Sequence, residues 1–201
     1  MGSGGFGLRQ PPLLAQRARG KWGTRCPHVS ILRASTRSLT HVSPETDDSL
    51  PHIGVVGDTY TILVSGNDTA GRYTLIDMLV PPGGGPPPHR HDFEEMFTIL
   101  DGEIELTFRG EKAVAKAGET VNIPANAPHV FTNAGERPAR LLCLCSPAGE
   151  DEFFLEVGVP VAHRTQAPPA LDAAGQAAFI AKAIELAPKY RTELLLGDKK
   201  P

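Results

Sequence analysis

Two histidines separated by a single residue, His89 and His91, are followed four positions later by Glu95 and, 34 residues beyond that, by His129. Imidazoles and a carboxylate at such spacing can do the chemistry of a metal ion. Side chains at i and i+2 of a strand point to one face roughly 7 Å apart, so His89 and His91 can converge on a single cation. Glu95 shares their parity, whereas Arg90 and Glu94 do not. A regular strand therefore turns Glu95 inward and Glu94 to solvent, and a bulge at Asp92-Phe93 would exchange them. Three neutral imidazoles and one carboxylate form a borderline-soft set. It suits one divalent transition metal (Fe, Mn, Ni, Co, Cu or Zn) and disfavours Ca or Mg, which prefer oxygen ligands. Six-coordination would leave room for a substrate or O₂. The competing reading has the histidines satisfying only local polar groups, but crowding these side chains without a cation is costly in a partly buried space.

The elements that must position these residues are short. Runs rich in β-branched and aromatic residues lie at Thr59–Val64, Arg72–Val80, Phe93–Leu100, Glu103–Phe108, Ala113–Ala115, Thr120–Ile123, His129–Thr132 and Ala139–Cys145. Between them fall nine of the 21 Gly and eight of the 19 Pro, as turn punctuation. Strands of this length and spacing predict an all-β sandwich or barrel. Asp101-Gly102 predicts a tight hairpin joining two antiparallel neighbours. The stiff Pro81-Pro82-Gly83-Gly84-Gly85-Pro86-Pro87-Pro88 loop delivers the first two histidines, and Pro128 fixes the approach to His129. Helical spacing over 171–187, with Asp172 as N-cap and a stop at Pro188, predicts a helix covering one end of the barrel. Tyr190 and Leu194–Leu196 are expected to form a docking tail. No internal repeat is visible.

Gly83, His89-Arg90-His91, Glu95 and Gly102 resemble the first motif of the cupin superfamily; Gly118, Pro124, Asn126, His129 and Asn133 resemble the second. The second motif usually has Gly where Asn126 stands, but Asn tolerates the left-handed conformation such a turn needs. The likeness is dense over about 50 residues and implies a double-stranded β-helix, or jelly roll, in a single-domain (monocupin) arrangement. Three His and one Glu resemble quercetin 2,3-dioxygenase-type cupins in particular. That resemblance implies O₂-dependent cleavage of a flavonol-like enol, with Glu95 serving both as ligand and as the base that takes the enol proton.

Charge is unevenly distributed. Of the 20 Lys and Arg, seven fall in residues 1–44, which contain no Asp or Glu; residues 45–201 keep 13 basic against 23 acidic side chains, a net of −10. An acidic barrel repels phosphate backbones, so nucleic acid is not an expected partner. No apolar run approaches membrane-spanning length, so a membrane is not expected either. Three cysteines, Cys26, Cys143 and Cys145, give an odd count, and the last two read as buried small residues rather than ligands. A cytoplasmic, reducing location fits that usage. Residues 1–50 are expected to be a disordered basic segment: a transit peptide, an extended start or residues of artificial origin. The barrel is expected over 51–165 and the helix and tail over 166–201.

Parity places Phe93, Phe97, Ile99, Val121, Ile123 and Phe131 on the ligands' face, where they would line an apolar cavity for a small aromatic or enol molecule. Tyr60, Tyr73 and the basic residues beyond 138 carry no signal. Two other functions use the same residues: a non-oxidative lyase or isomerase, and a small-molecule-binding cupin without catalysis. An edge at Thr59–Val64 suggests pairing with a second copy, so a homodimer is expected.

Overall fold

The computed structural model describes residues 35–197. Most of the expected disordered segment, with Cys26, lies outside the described residues. Residues 35–50 form no helix or strand, and within them Glu45 reaches Arg140 at 3.0 Å and Arg164 at 3.3 Å.

Among the described residues, twelve strands build two antiparallel sheets. They are β1 (His52–Val55), β2 (Asp58–Val64), β3 (Thr74–Val80), β4 (His89–His91), β5 (Glu94–Asp101), β6 (Glu103–Phe108), β7 (Glu111–Lys116), β8 (Thr120–Ile123), β9 (His129–Thr132), β10 (Ala139–Ser146), β11 (Val159–Pro160) and β12 (Thr192–Leu194). The larger sheet runs β11-β1-β2-β3-β10-β5-β8 and the smaller β12-β4-β9-β6-β7. Alternation sets the core. In β10, Ala139, Leu141, Cys143 and Cys145 are buried while the residues between them are half-exposed. Ile76, Met78, Phe97, Ile99 and Phe131 join them in a single cluster. This is the all-β architecture expected from the strand spacing and the jelly roll implied by the motif resemblance, with a C-terminal helix.

Two expectations about pairing are corrected. Asp101-Gly102 does not close a hairpin between neighbours: β5 pairs with β10 and β8, and β6 pairs with β7 and β9. A type I′ turn needs positive φ at both central residues, and of these two only Gly102 has it, at 75°. The chain there crosses from one sheet to the other. Thr59–Val64 is likewise not an edge, since β2 is flanked by β1 and β3. The edges are β11, β8, β12 and β7.

Helical segments close one end. A short turn, α1 (Gly66–Thr69), is followed by α2 (Glu150–Val157), which buries Phe153, Phe154 and Val157. The expected C-terminal helix is α3 (Ala173–Leu186), capped by Asp172, whose Oδ1 accepts from Gly175 N at 2.8 Å. A 3₁₀ turn at Ala187–Tyr190 leads into β12, and that strand pairs with β4, which carries the first two histidines. No helix among the described residues is long and apolar enough to cross a membrane.

The loop before β4 approaches β9 closely. Gly85, at φ 130°, leaves no room for a Cβ, which would run into the carbonyl oxygen of Phe131, whereas Gly83, at φ 75°, has open space around it. Gly83→Ala is expected to cost about 1 kcal/mol through its left-handed backbone alone, and Gly85→Ala about 3 kcal/mol because β9 must also shift. Thermal denaturation of both variants checks this; equal losses would show that the close approach is unimportant.

Candidate metal centre

His89 and His91 lie on β4 and His129 on β9, with His89 and His129 directly opposite in the ladder. Glu95 comes from β5, in the other sheet. The chain leaves β4 at His91 and enters β5 at Glu94, so Asp92-Phe93 is a break between sheets rather than a continuous strand. Glu95 nevertheless turns inward. Its Oε2 lies 3.2 Å from His91 Nε2 and 3.1 Å from His129 Nε2. Glu94 is exposed and accepts from Asn122 Nδ2 at 2.8 Å and Ala125 N at 3.2 Å. One ligand atom from each of His89, His91, Glu95 and His129 lies within 4.8 Å of all the others, and all four residues are buried. These four side chains could hold a metal.

The tautomers decide what the cluster can do. The Nδ1 atoms of His89, His91 and His129 lie 2.9 Å from the carbonyl oxygens of Pro87, Phe93 and Ala127 respectively. A carbonyl only accepts, so each Nδ1 carries the proton and each neutral Nε2 presents a lone pair. Two of those lone pairs face the Glu95 carboxylate at hydrogen-bond distance. Acceptor against acceptor is repulsive unless a proton or a metal cation sits between them, and imidazoles that donate Nδ1–H to backbone carbonyls are the usual arrangement around a metal. Donor set and orientation both fit a divalent transition ion.

The motif residues outside the cluster hold it in place. Asn126 takes φ 62°, the left-handed conformation that Asn tolerates, and its N–H donates to the His91 carbonyl at 2.6 Å. Asn133, buried, donates through Nδ2 to the carbonyls of Val80 at 2.9 Å and Arg137 at 2.8 Å. Gly83 N donates to Asn133 O at 2.8 Å, tying the proline-rich loop to the end of β9.

A cupin domain model matches residues 76–145, which contain all four cluster residues. An uncharacterised protein of Methanocaldococcus jannaschii is 33% identical over 119 residues, covering 57% of this chain and 95% of that protein. The chain belongs to the cupin superfamily. Quercetin 2,3-dioxygenase of Bacillus subtilis is 28% identical over 109 residues, covering 54% of this cupin but only 32% of that enzyme. The solved polyketide cyclase RemF of Streptomyces resistomycificus shares 24% identity, with a TM-score of 0.47, over 68% of this chain and 89% of that one.

Electrostatics in the cupin centre favour positive charge. Burial alone would raise the Glu95 carboxyl, but the contacts with His129 and His91 outweigh it and hold the group well below the usual carboxylate range. Burial would lower His129, and Glu95 outweighs that too, raising it. His89 is pushed down to about 4 by burial and by His129, which keeps its Nε2 lone pair unprotonated at neutral pH.

Beside the centre opens a cavity of about 290 Å³, with His89 and Glu95 in its wall. Of the six apolar residues expected to line it, Phe131 does so. Phe93, Phe97, Ile99 and Ile123 lie instead in the buried core, and Val121 is half-buried against it. Parity correctly marks an interior face, but the barrel fills that face with packed side chains. The open space lies at the helical end, against Phe153 and Phe154 of α2 and Phe179 and Ala183 of α3.

Three groups passed over in the sequence reach this site. Tyr60 lines the cavity and donates from its hydroxyl to Asp58 Oδ2 at 2.9 Å. Cys143 and Cys145 point at the carboxylate: Cys143 Sγ donates to Glu95 Oε1 at 3.4 Å, and the two sulfurs are 3.6 Å apart. Burial pushes the Cys143 thiol well up, and it takes Cys145 up to about 12 against the pull of the Cys143 contact. Both therefore stay S–H at neutral pH, where they donate to Glu95 rather than bind an ion as thiolates. Spacing alone showed that the two share a face, but nothing in it identified Glu95 as what they face.

Asp58 gives a sign-definite test. Burial pushes its carboxyl from an ordinary 3.8 up to about 7, against the Tyr60 hydroxyl and the Gly85 amide. The folded protein thus binds that proton more tightly than the unfolded chain, so this group favours folding below about pH 4 and penalises it progressively as pH rises through 7. Asp58→Asn removes the penalty. Its melting temperature relative to wild type is expected to rise between pH 5 and pH 8, by the equivalent of at most about 3 kcal/mol. Melting curves at the two pH values check this, and an offset that does not change with pH would show that the carboxyl ionises normally.

Proposed function

We propose that His89, His91, Glu95 and His129 hold one divalent transition metal, and that the protein is a dioxygenase-type oxidoreductase acting on a small aromatic or enol substrate. The observation that carries the reading is the set of imidazole lone pairs turned by backbone carbonyls onto one carboxylate, at the wall of an apolar cavity. The Bacillus subtilis relative bears the name of such an enzyme.

When bound, the ion would supply Lewis acidity toward an enol oxygen and a place for O₂. The chain supplies the rest. With each Nδ1–H committed to a carbonyl, the three histidines would fix the ion's position through Nε2. Glu95 engages His91 and His129 through Oε2, which leaves Oε1, steadied by the Cys143 thiol, as the acceptor for an enol proton. The aromatic side chains of α2 and β9 orient a flat ring and exclude water from it.

A second reading, a non-oxidative metal-dependent lyase or isomerase, is favoured by one observation. Asp58, raised to about 7 in the same cavity, is matched to moving a proton near neutral pH. For assembly, a homodimer through one of the free edge strands is the expectation.

Elemental analysis of the purified protein should find about one transition metal per chain. His91→Ala should abolish it and Glu94→Ala should leave it intact. Oxygen-electrode assays with flavonols and small diketones should then show metal-dependent uptake. Turnover without oxygen uptake would select the second reading, and equal metal content in the two variants would sink the assignment of the centre.

A further inference from the structure

Among the described residues, two buried side-chain oxygens lack a hydrogen bond of normal geometry, Asp58 Oδ1 and Glu150 Oε2, although the Gly85 amide approaches the Asp58 carboxyl. Both residues line the cavity beside His89 and Glu95. They come from unrelated parts of the chain, β2 and the first turn of α2, and each residue is more than nine-tenths buried. An orphaned buried polar atom costs about 1–3 kcal/mol. Two of them on one cavity are what a binding site looks like when its ligand supplies the missing partners.

The remaining wall restricts what that ligand can be. Met78, Phe131, Phe154 and Phe179 are apolar, and among the described residues neither Lys nor Arg lines the space. Asp58, Glu95 and Glu150 put three carboxyl groups around it. A carboxylate or phosphate entering would find no lining Lys or Arg to pair with. A flat ring satisfies the aromatic walls, and hydroxyl groups satisfy the orphan oxygens. Burial pushes the Glu150 carboxyl well up and Asp58 to about 7, so each can also donate to a ligand oxygen when protonated.

We infer that Asp58 and Glu150 are specificity-determining residues that read the hydroxyl groups of an uncharged, polyhydroxylated aromatic ligand and turn anionic ligands away. This deepens the function proposed above and rests on it for the ligand's place next to His89 and Glu95. A site built to hydrogen-bond a hydroxyl rejects the analogue that lacks it far more strongly than an apolar pocket rejects an extra methyl group.

The test uses three probes of one size: 1,3-dihydroxynaphthalene, 1,3-dimethoxynaphthalene and 3-hydroxy-2-naphthoate. Binding is measured by calorimetry to the full-length protein as purified and again after chelation, so that recognition is read apart from any contact with a metal. Wild type should bind the diol at least about tenfold more tightly than the dimethyl ether and the naphthoate in both preparations. Glu150→Met replaces the orphaned carboxyl with an apolar group of similar length. It should melt no lower than wild type while its preference for the diol falls to within about threefold. Asp58→Asn, which keeps an acceptor for Tyr60, should weaken diol binding and leave dimethyl ether binding unchanged, and it preserves the test if Glu150→Met fails to fold.

A wild-type protein that binds the naphthoate as tightly as the diol overturns the inference. So does one that binds no diol at millimolar concentration, or a pair of variants that both retain the full preference. Oxygen uptake is scored separately: a diol preference without uptake leaves this inference standing and removes the dioxygenase, and uptake without the preference does the reverse.

Discussion

The arrangement on which the rest of the structure depends is the facing of the Glu95 carboxylate against the Nε2 atoms of His91 and His129. With neither a proton nor a metal cation between them these acceptors would repel, and the side chains would rotate apart. They are prevented from doing so by three carbonyls, of Pro87, Phe93 and Ala127, which fix the protonated Nδ1 of each ring. In every case the carbonyl is two residues from its histidine, so the lock is local and needs only the correct backbone conformation. The stiff proline-rich loop before His89, the break at Asp92-Phe93 and the Pro124–Pro128 turn each provide one such conformation. Segments that look like irregular connections are therefore what sets the direction of the lone pairs.

The cluster also spans the two layers of the barrel. All three imidazoles belong to the smaller sheet and the carboxylate to the larger one, while the chain passes between sheets in only two residues. A cation bound here would tie the sheets together beside that crossing, so occupancy and fold stability are thermodynamically linked. The C-terminal segment adds a further constraint, because β12 pairs along the full length of β4 and holds the His89–His91 strand from its other side. Sequence residues far from the two motifs thus secure the strand that the first motif supplies.

Much of this was legible before any coordinates. Period-two alternation and turn residues identify the strands, because burial of one face leaves a local signature. The parity of His89, His91 and Glu95 identifies the inward face, although the strand supposed to carry all three is in fact two strands in different sheets. The inward direction survived that break because Asp92 and Phe93 together preserve the alternation. What stayed hidden depends on which strands meet. Asp101-Gly102 reads as a hairpin because local chemistry cannot tell a reversal within one sheet from a crossing between two. Arg140 looked like surface background, yet it forms a bidentate contact with the buried Asp77 on the neighbouring strand. Tyr60, Asp58 and Glu150 reach the cavity only through packing of β2 against α2, and no spacing rule links residues so far apart.

The position of the cavity follows from the same packing. Phe97 and Phe131 meet edge to face across the interior with ring centres 5.1 Å apart, and together with Ile99, Ile104 and Leu141 they leave no open space in the middle of the barrel. A barrel this narrow cannot both fill its interior and hold a ligand there. The space is displaced toward one end, where β2 and β9 meet helices that the β-barrel itself does not require. Those helices contribute aromatic side chains and an acidic first turn, and β2 contributes Asp58. The jelly roll therefore supplies the metal ligands, whereas selection of what lies next to them falls to segments outside the shared motifs. Relatives that keep the same four ligand positions can differ in ligand whenever those segments differ, which is why the metal centre alone does not define a reaction.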